Sequence, residues 1–257
     1  MPQEIKQQLI NGELKPIDYD EKIAYANNKV GKLTGYQCDI CKNKGFVYKK
    51  DPCNAIIEIV CECKCVVIRQ NLKNIQKSGL SHIIDIYTFE NFIAKAEWQK
   101  KAKEIAFNFS ENWLYIGGQV GCGKSHLGTA VVSKFLKDGT NCRYMVWREE
   151  IVKIKACVND FDNYQKLTEN LKKVELLYID DFFKTEKDKV PTQADINFAH
   201  ELLNHRYMNR KKTIISSELF ISDILEIDEA VGSRIYQLTK NNCIEVSYDK
   251  NKNQRLK

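Results

Sequence analysis

Apolar runs and helical patterns alternate along the second part of the chain. Five short runs are rich in β-branched or aromatic residues, and they read WLYIGG, CRYMVW, VELLYID, KTIISS and CIEVSY. The helix predicted after the first run has one apolar face, formed by Leu127, Ala130, Val131 and Phe135. Gly139 is placed to end that helix. Because strand–helix alternation favours parallel βαβ units, we predict an α/β fold with a five-stranded parallel sheet in three layers for residues 96–257.

The chain before residue 96 follows a different pattern, which is set by cysteines. Cys38 and Cys41 precede the runs FVYKK and AIIEIV, which flank a predicted turn at Asp51-Pro52 and indicate a β-hairpin. The segment VCECKC follows the hairpin. We predict a small N-terminal domain at 1–80 and a linker at 81–95.

The composition is that of an ordinary soluble globular protein, with 257 residues of which 43% are hydrophobic and 29% charged. The net charge of +6 permits contact with nucleic acid without requiring it. The first residues lack a secretory signal, and no window approaches the roughly 18 apolar residues of a membrane span. We therefore expect a cytoplasmic protein with no membrane partner. A reducing compartment keeps its ten cysteines as thiols, which favours metal ligation over disulfides.

The cysteines on either side of the predicted hairpin indicate a structural zinc site. Cys38 and Cys41 supply two ligands, and a tetrahedral S₄ site needs two more from the segment after the hairpin. Cys61 with Cys63, Cys63 with Cys65, or Cys61 with Cys65 would complete it. We favour Cys61 and Cys63, because they directly follow the returning strand. In so small a domain the metal would contribute much of the folding free energy, so chelation should unfold it.

The segment GQVGCGKS at 118–125 fits the phosphate-binding pattern G-x-x-x-x-G-K-[ST]. A predicted strand precedes it and a predicted helix follows, which is the context that the pattern requires. Lys124 would reach the β- and γ-phosphates of ATP, and the Ser125 hydroxyl would ligate Mg²⁺. The residues predicted to bind the nucleotide are Gly118, Gly121, Cys122, Gly123, Lys124, Ser125 and His126.

Two adjacent carboxylates end the apolar run VELLYIDD. Asp180 is predicted to hold Mg²⁺, directly or through water, and Asp181 to orient or deprotonate the attacking water. Many such ATPases carry Glu at the second position. Because the shorter Asp side chain reaches less far, we expect slow hydrolysis that serves as a switch, below about 10 per second.

Three further polar residues are candidates for nucleotide sensing. The run KTIISS ends in Ser216 and Ser217, and a hydroxyl there would contact the γ-phosphate or the lytic water. We favour Ser217, although alternation along a strand does not decide which one faces the site. Arg234, on a predicted helix, is a candidate arginine finger that enters the site of a neighbouring subunit.

Taken together, the ordered motifs resemble those of the DnaC/DnaI-type helicase loaders, and of the DnaC-like replication proteins of phages and prophages in Gram-positive bacteria. The motifs are CDICKNKGFV…CEC, TFENF, GGQVGCGKSHL, YMVWREE, LLYIDDFFK, LLNHRYMNRKKTIISSE and DEAVGSRI. The resemblance implies an AAA+ ATPase that binds ATP with Mg²⁺. It also implies a zinc module that docks on the replicative hexameric DNA helicase, and an ATPase domain that binds single-stranded DNA and oligomerises when it holds ATP.

The resemblance also assigns roles to single residues. It matches Arg234 to the arginine finger and the Ser216–Ser217 pair to the first sensor, and it puts Phe89 and Phe92 near the adenine. Arg255 is a poor match to the second-sensor arginine of many AAA+ proteins. The positions that contact DNA are weakly indicated, and the candidates are Lys153, Lys155, Arg206, Arg210, Lys211 and Lys212, with Tyr144, Trp147 and Tyr207 as stacking partners.

Three other functions compete with helicase loading. A transposition helper ATPase of IstB type would share the ATPase domain, but the zinc module argues against it. A small-molecule P-loop kinase would need an acceptor pocket and a lid of arginines that the sequence does not indicate. A zinc adaptor that retains nucleotide without hydrolysing it would be separated from a loader by single-turnover hydrolysis with DNA and helicase.

Overall fold

The structure, a computed structural model, describes residues 11, 18–54, 57–77, 81–186 and 189–256. It divides into two units, Met1–Arg69 and Gln70–Lys257. None of the helices in these described ranges combines the length and the apolar character of a membrane-spanning segment.

The first unit is built around a β-hairpin. Helix α1 (Tyr19–Asn28) precedes it, and the Asp18 carboxylate caps that helix by accepting from two of its first backbone N–H groups. Strands β1 (Phe46–Lys50) and β2 (Glu58–Glu62) pair antiparallel, which confirms the predicted hairpin. Helix α2 (Cys65–Lys77) starts directly after it. The cysteine-bearing segments therefore meet at the open end of the hairpin.

A five-stranded parallel sheet forms the centre of the second unit, as predicted. Its spatial order is β4-β5-β6-β3-β7. The strands are β3 (Trp113–Gly118), β4 (Cys142–Val146), β5 (Leu176–Asp180), β6 (Lys212–Ser217) and β7 (Cys243–Val246). The helices are α3 (Ser81–Ile86), α4 (Glu97–Asn108), α5 (Lys124–Lys137), α6 (Trp147–Ala156), α7 (Phe161–Lys173), α8 (Gln193–Met208), α9 (Ile221–Ile227) and α10 (Glu229–Thr239).

Successive residues of the central strands face opposite layers of the second unit. On β3, Leu114 and Ile116 belong to one apolar cluster, whereas Trp113 and Tyr115 belong to the other. The first cluster includes residues of α4 and α5, and the second includes residues of α6, α7, α8 and α10. This arrangement gives the three predicted layers. It also brings the carboxyl ends of β3, β5 and β6 together at one edge, where ligands bind in open α/β sheets.

The segment predicted as a linker, 81–95, is part of the second unit instead. It begins with α3, and Phe89 and Phe92 are buried within the apolar cluster that covers one face of the sheet. The division between the units lies earlier, between Arg69 and Gln70. The mixed aromatic and polar sequence concealed this because residues 87–95 lie outside helices and strands, where buried side chains follow no regular period.

Candidate nucleotide and metal sites

The loop between β3 and α5 has a backbone that glycine permits and other residues resist. Gly118, Gly121 and Gly123 have φ angles of 136°, 78° and 99°. A Cβ on Gly118 would lie 2.5 Å from the Val246 carbonyl oxygen, and one on Gly123 would lie 2.9 Å from the Phe92 ring. With helix α5 starting at Lys124, the loop presents backbone N–H groups at a positive helix end, as phosphate binding requires.

The Lys124 side chain folds back over the loop and binds its first two backbone carbonyl groups. Its Nζ donates to the carbonyl oxygens of Gly118 at 2.6 Å and Gln119 at 2.9 Å, and the residue is only 6% exposed. The ammonium is thus held over the loop by backbone oxygens rather than by a carboxylate. It lines the same cavity as Gly121, Gly123 and Ser125, so its charge is available to a phosphate group.

Four hydroxyl groups surround the Asp180 carboxylate at the end of β5. Ser125 Oγ lies 3.2 Å from Oδ1, Tyr178 OH lies 2.9 Å from Oδ1, Tyr144 OH lies 2.5 Å from Oδ2, and Ser216 also donates to Oδ1. Burial, together with the charge of Asp180, raises the pKa of both tyrosines, so they remain donors. Ser125 and Asp180 lie next to each other and would provide the oxygen ligands that Mg²⁺ prefers, so their binding of Mg²⁺ stays a prediction.

Tyr144 and Tyr178 are site residues that sequence analysis missed or placed elsewhere. Tyr144 was a candidate for stacking on DNA, but its hydroxyl contacts Asp180. The two rings are partners in the β4–β5 register and meet edge to face with centroids 4.9 Å apart. The spacing of Tyr178 two residues before Asp180 was a usable signal, because alternate residues of a strand share a face.

Asp181 lies in a left-handed turn after β5, with a φ of 55°, and it lines the nucleotide cavity. Its Oδ2 pairs with Lys184 Nζ at 2.9 Å, and Lys184 also pairs with Glu218 at 2.8 Å. Glu218 lines the cavity too. Neither Lys184 nor Glu218 was a candidate in the sequence analysis, since an ion pair across two loops leaves no periodic signal.

The structure reverses the preference for Ser217 over Ser216. Ser216 Oγ contacts both the Asp180 carboxylate and the backbone N–H of Asp181, the latter at 3.4 Å. Ser217 Oγ instead donates to the Phe182 carbonyl at 2.7 Å and accepts from Leu219 N–H. Both are fully buried, so their opposite directions follow from the alternation of side chains along β6.

We expect Ser216→Ala to lower steady-state ATP turnover by about tenfold or more, because it removes a hydrogen bond to a charged group. Ser217→Ala is the matched comparison, with the same atoms removed one residue further on, and its effect on turnover should be small. Turnover and melting temperature measured on both variants check this. A larger loss of turnover in Ser217→Ala at equal stability would restore the original preference.

Tyr87, Phe92 and His126 form an aromatic group beside the phosphate loop. The His126 ring stacks on Tyr87 with centroids 4.8 Å apart, meets Phe92 edge to face, and places Nε2 2.8 Å from the Thr88 carbonyl oxygen. Burial lowers the pKa of His126, which favours its neutral form. Tyr87 and His126 line the cavity, whereas Phe89 is buried in the core.

Arg255 also lines this cavity, although it was a poor match to the second-sensor arginine in the sequence analysis. The chain after β7 returns to the phosphate loop, where Gln254 N–H donates to the Gly121 carbonyl at 2.9 Å. The Gln119 side chain binds the Asp249 backbone nearby. The short helical turns Lys250–Lys252 and Gln254–Leu256 complete this return.

Arg234 lies on α10 and is not among the residues that line the cavity. Its Nη1 donates to the Ala230 carbonyl at 2.6 Å and its Nε to Asn204 at 3.2 Å, while the guanidinium lies over the Tyr207 ring. A finger acts on the site of another subunit, so its role stays a prediction.

Several candidate DNA contacts have other partners in the structure. Arg206 is fully buried and donates to the carbonyls of Leu171 at 2.8 Å and Val174 at 3.0 Å, and burial lowers its pKa to about 9. Trp147 is 2% exposed. Lys155 pairs with Asp195 at 2.8 Å. These three residues stabilise the fold. Arg210 is exposed, and it remains a candidate with its neighbours Lys211 and Lys212.

Four cysteines of the first unit form the predicted cluster, but Cys65 takes the place of Cys61. The sulfur atoms of Cys38, Cys41, Cys63 and Cys65 all lie within 4.8 Å of one another. Cys61 pairs with Val47 inside the hairpin, and the strand ends at Glu62. Because the chain turns into α2 immediately afterwards, the residues that flank the turn reach the first pair.

This cluster fits a zinc ion. Cys38 Sγ lies 3.7 Å from Cys63 Sγ, and Cys41 Sγ lies 3.4 Å from Cys65 Sγ. Four sulfurs in a tetrahedron with bonds of roughly 2.3 Å would be about 3.8 Å apart. Burial disfavours the Cys41 thiolate, but a hydrogen bond from Gly45 N–H and its thiol neighbours lower the pKa of Cys41 nonetheless. Burial instead raises the pKa of Cys63 and Cys65, so the four buried, closely spaced sulfurs are what suit a structural metal.

The fold, the phosphate loop and the two carboxylates define an AAA+ P-loop ATPase domain. The chain belongs to the family of the bacterial DnaA ATPase domain, whose profile matches residues 84–239, more than half of the chain.

Individual proteins agree with this assignment. The Bacillus subtilis protein YqaM is 33% identical over 203 residues, and the match covers 74% of this chain and 64% of YqaM. XkdC of the phage-like element PBSX, also from Bacillus subtilis, is 27% identical over 221 residues and is matched over 79% of both chains. The crystal structure of the DnaC helicase loader has a TM-score of 0.52 at 20% identity, over 62% of this chain and 96% of that one.

Proposed function

We propose that the protein is an ATP-dependent loader that places the replicative hexameric DNA helicase on single-stranded DNA during initiation of phage or host DNA replication. One observation carries the proposal: a phosphate loop with its Ser125–Asp180 and Asp181 groups occurs in the same chain as a four-cysteine unit. The resemblance of the ordered motifs to helicase loaders supports it, as does the match to a protein of a phage-like element.

The proposed ATPase chemistry follows from the groups that line the cavity. Mg²⁺, held by Ser125 and Asp180, would neutralise charge on the β- and γ-phosphates. Lys124 binds the same phosphates, and Asp181 accepts a proton from the attacking water as the bond between the γ-phosphorus and the ADP oxygen breaks. Ser216 positions the two aspartates relative to each other, because its hydroxyl binds both the Asp180 carboxylate and the Asp181 backbone N–H. ADP and phosphate are the products.

The proposed docking surface lies on the first unit. Its described residues include four apolar side chains that are 62–77% exposed, namely Tyr25, Val30, Ile40 and Val60. The buried cluster of this small unit consists of its four cysteines. The unit therefore has little hydrophobic core in which these four side chains could pack. A contiguous exposed apolar patch marks a site of interaction with another protein. We propose that these four side chains form part of such a patch and contact the helicase.

The full-length protein is expected to co-purify with a replicative hexameric helicase in the presence of ATP, and a chain that starts at residue 81 should not. Because truncation removes a whole unit, the sharper variant is full-length protein carrying Ile40→Glu and Val60→Glu, which we expect to weaken the helicase complex by about tenfold or more. Val190→Glu, at a residue 79% exposed in the second unit, is the matched control. Equal recovery from all four proteins would move the docking site into the second unit.

A further inference from the structure

The turn after β5 directs a lysine back toward the catalytic carboxylate. Asp181 and Phe183 both have positive φ angles, of 55° and 57°, and Lys184 N–H donates to the Asp181 carbonyl at 3.0 Å. Phe182 and Phe183 are buried, and their rings stack with centroids 4.1 Å apart. The two buried rings hold the turn in place, so the backbone of Lys184 has a fixed position beside the cavity.

Lys184 binds two carboxylates at once. Its Nζ lies 2.9 Å from Asp181 Oδ2 and 2.8 Å from Glu218 Oε1. Burial lowers the pKa of the Lys184 ammonium, but hydrogen bonds and charge interactions with Glu218 and Asp181 outweigh burial and raise it above its ordinary value. The lysine is therefore charged at any physiological pH.

The ion pair engages the atom that the proposed chemistry needs. A general base must offer a carboxylate oxygen to the water, and the Lys184 ammonium already occupies Asp181 Oδ2. Lys184, Asp181 and Glu218 all line the nucleotide cavity, so the contact lies where hydrolysis would occur. An ATPase that acts as a switch benefits from such a restraint, because it should hydrolyse ATP only after it has bound its helicase or DNA partner.

We propose that Lys184 is a positioning residue that restrains Asp181, and that Glu218 is the alternative acceptor to which Lys184 moves when hydrolysis is released. This inference rests on the proposed ATPase function and adds its regulation. The side chains of Lys184, Asp181 and Glu218 are 33%, 30% and 36% exposed, so each has room to move. Because Glu218 already contacts the ammonium, leaving Asp181 does not strand a buried charge.

Substitutions of Lys184 and of Glu218 are expected to change ATP turnover in opposite directions. Lys184→Gln removes the restraint, and we expect its turnover of saturating ATP, without DNA or helicase, to rise about fivefold or more. Glu218→Gln leaves Lys184 with Asp181 as its one carboxylate partner of the two. Because the lysine then stays on Asp181, turnover should fall by a similar factor. Lys184→Arg keeps the positive charge, so its turnover should stay below that of Lys184→Gln.

Lys189→Gln is the matched control, because Lys189 is an exposed lysine on the same loop whose partner is Glu186, at 2.5 Å. Its turnover should equal that of the wild type. Affinity for a fluorescent ATP analogue should change by less than about twofold in every variant, which separates an effect on the chemical step from one on binding. Melting temperatures identify any variant that misfolds, and the sign of the Glu218→Gln effect tests the proposal independently.

Four results would overturn the proposal. Turnover of folded Lys184→Gln equal to the wild-type value would mean that the lysine does not restrain hydrolysis, and turnover below it would mean that the lysine assists hydrolysis. A shift of Lys184→Gln and Glu218→Gln in the same direction would indicate a structural role, and an equal rise in Lys189→Gln would indicate an effect of net charge. Failure of the proposed function looks different: the wild type itself would then show no hydrolysis that depends on Lys124.

Discussion

Lys124→Ala is expected to lower ATP turnover by at least about 100-fold and to weaken ATP binding measurably. Removal of one positioned charge or donor from a water-excluded site typically costs that much. Lys124 is 6% exposed, and its Nζ lies on the cavity wall with no carboxylate partner among its hydrogen bonds in the described residues. The other two lysines of α5, Lys134 and Lys137, are not among the residues that line the cavity.

The matched control is Lys137→Ala, because Lys137 lies at the other end of the same helix and is exposed. Lys124 also holds the carbonyls of Gly118 and Gln119, so a melting temperature must accompany each measurement. Lys124→Arg helps here, since it keeps the positive charge. Turnover of Lys124→Ala within about threefold of the wild type would exclude this loop as the phosphate site.

The same variant tests the proposed function beyond the ATPase step. If nucleotide controls loading, Lys124→Ala should still bind helicase through the first unit but should fail to deposit it on single-stranded DNA. Undiminished deposition would separate loading from ATP and would favour a nucleotide-independent adaptor. Helicase binding and DNA deposition measured in parallel distinguish these outcomes.

The fold was predictable because its main features are periodic. Five apolar runs became the five strands of the sheet, and Gly139, with a φ of 82°, follows the end of α5 as expected. The segment 81–95 was not predictable in the same way. Phe89 and Phe92 are buried but lie outside helices and strands, where burial depends on neighbours that are distant in sequence.

The candidate site shows the same division between local and non-local information. The phosphate loop and the Asp180–Asp181 pair are contiguous motifs, and the structure brings them to one cavity edge. Tyr144 contacts Asp180 because β4 lies beside β5 in the sheet. The sequence of a single segment does not predict this strand order. Lys184 and Glu218 meet across two loops for the same reason.

The choice between Ser216 and Ser217 depended on register alone. The two residues have the same chemistry, and a shift of one position along a strand exchanges the two faces of the sheet. Pairing of β6 with β5 and β3 places the Ser216 side chain toward Asp180. Which of the two serines faces Asp180 is thus decided by the neighbouring strands of β6, not by the sequence of β6 alone.

The cysteine cluster was found by spacing, but its fourth member was wrong. Cys61 and Cys63 both follow the returning strand, and sequence does not state at which residue a strand stops. In the structure β2 ends at Glu62 and α2 begins at Cys65, so a sharp turn carries Cys63 and Cys65 to the first pair. This correction makes a prediction with a large effect.

Cys65→Ser is expected to abolish zinc binding, whereas Cys61→Ser should retain about one zinc per chain. Loss of one thiolate leaves three ligands, and zinc binding supplies roughly 10–16 kcal/mol of apparent free energy in small zinc domains. The first unit of Cys65→Ser should therefore unfold. Metal analysis by mass spectrometry gives the zinc content, and hydrogen exchange of the β1–β2 amides reports on the fold.

Cys61→Ser is a demanding control, because it removes the same atom from a residue only four positions away, in strand β2 of the hairpin. Chelation of the wild type should reproduce the Cys65→Ser state, with exchange increased in β1 and β2 while the second unit still binds ATP. This separation is expected because the cavity residues all lie within Gln70–Lys257. Zinc retained by Cys65→Ser and lost by Cys61→Ser would return the fourth ligand to Cys61, and protein isolated without any zinc would exclude the metal site itself.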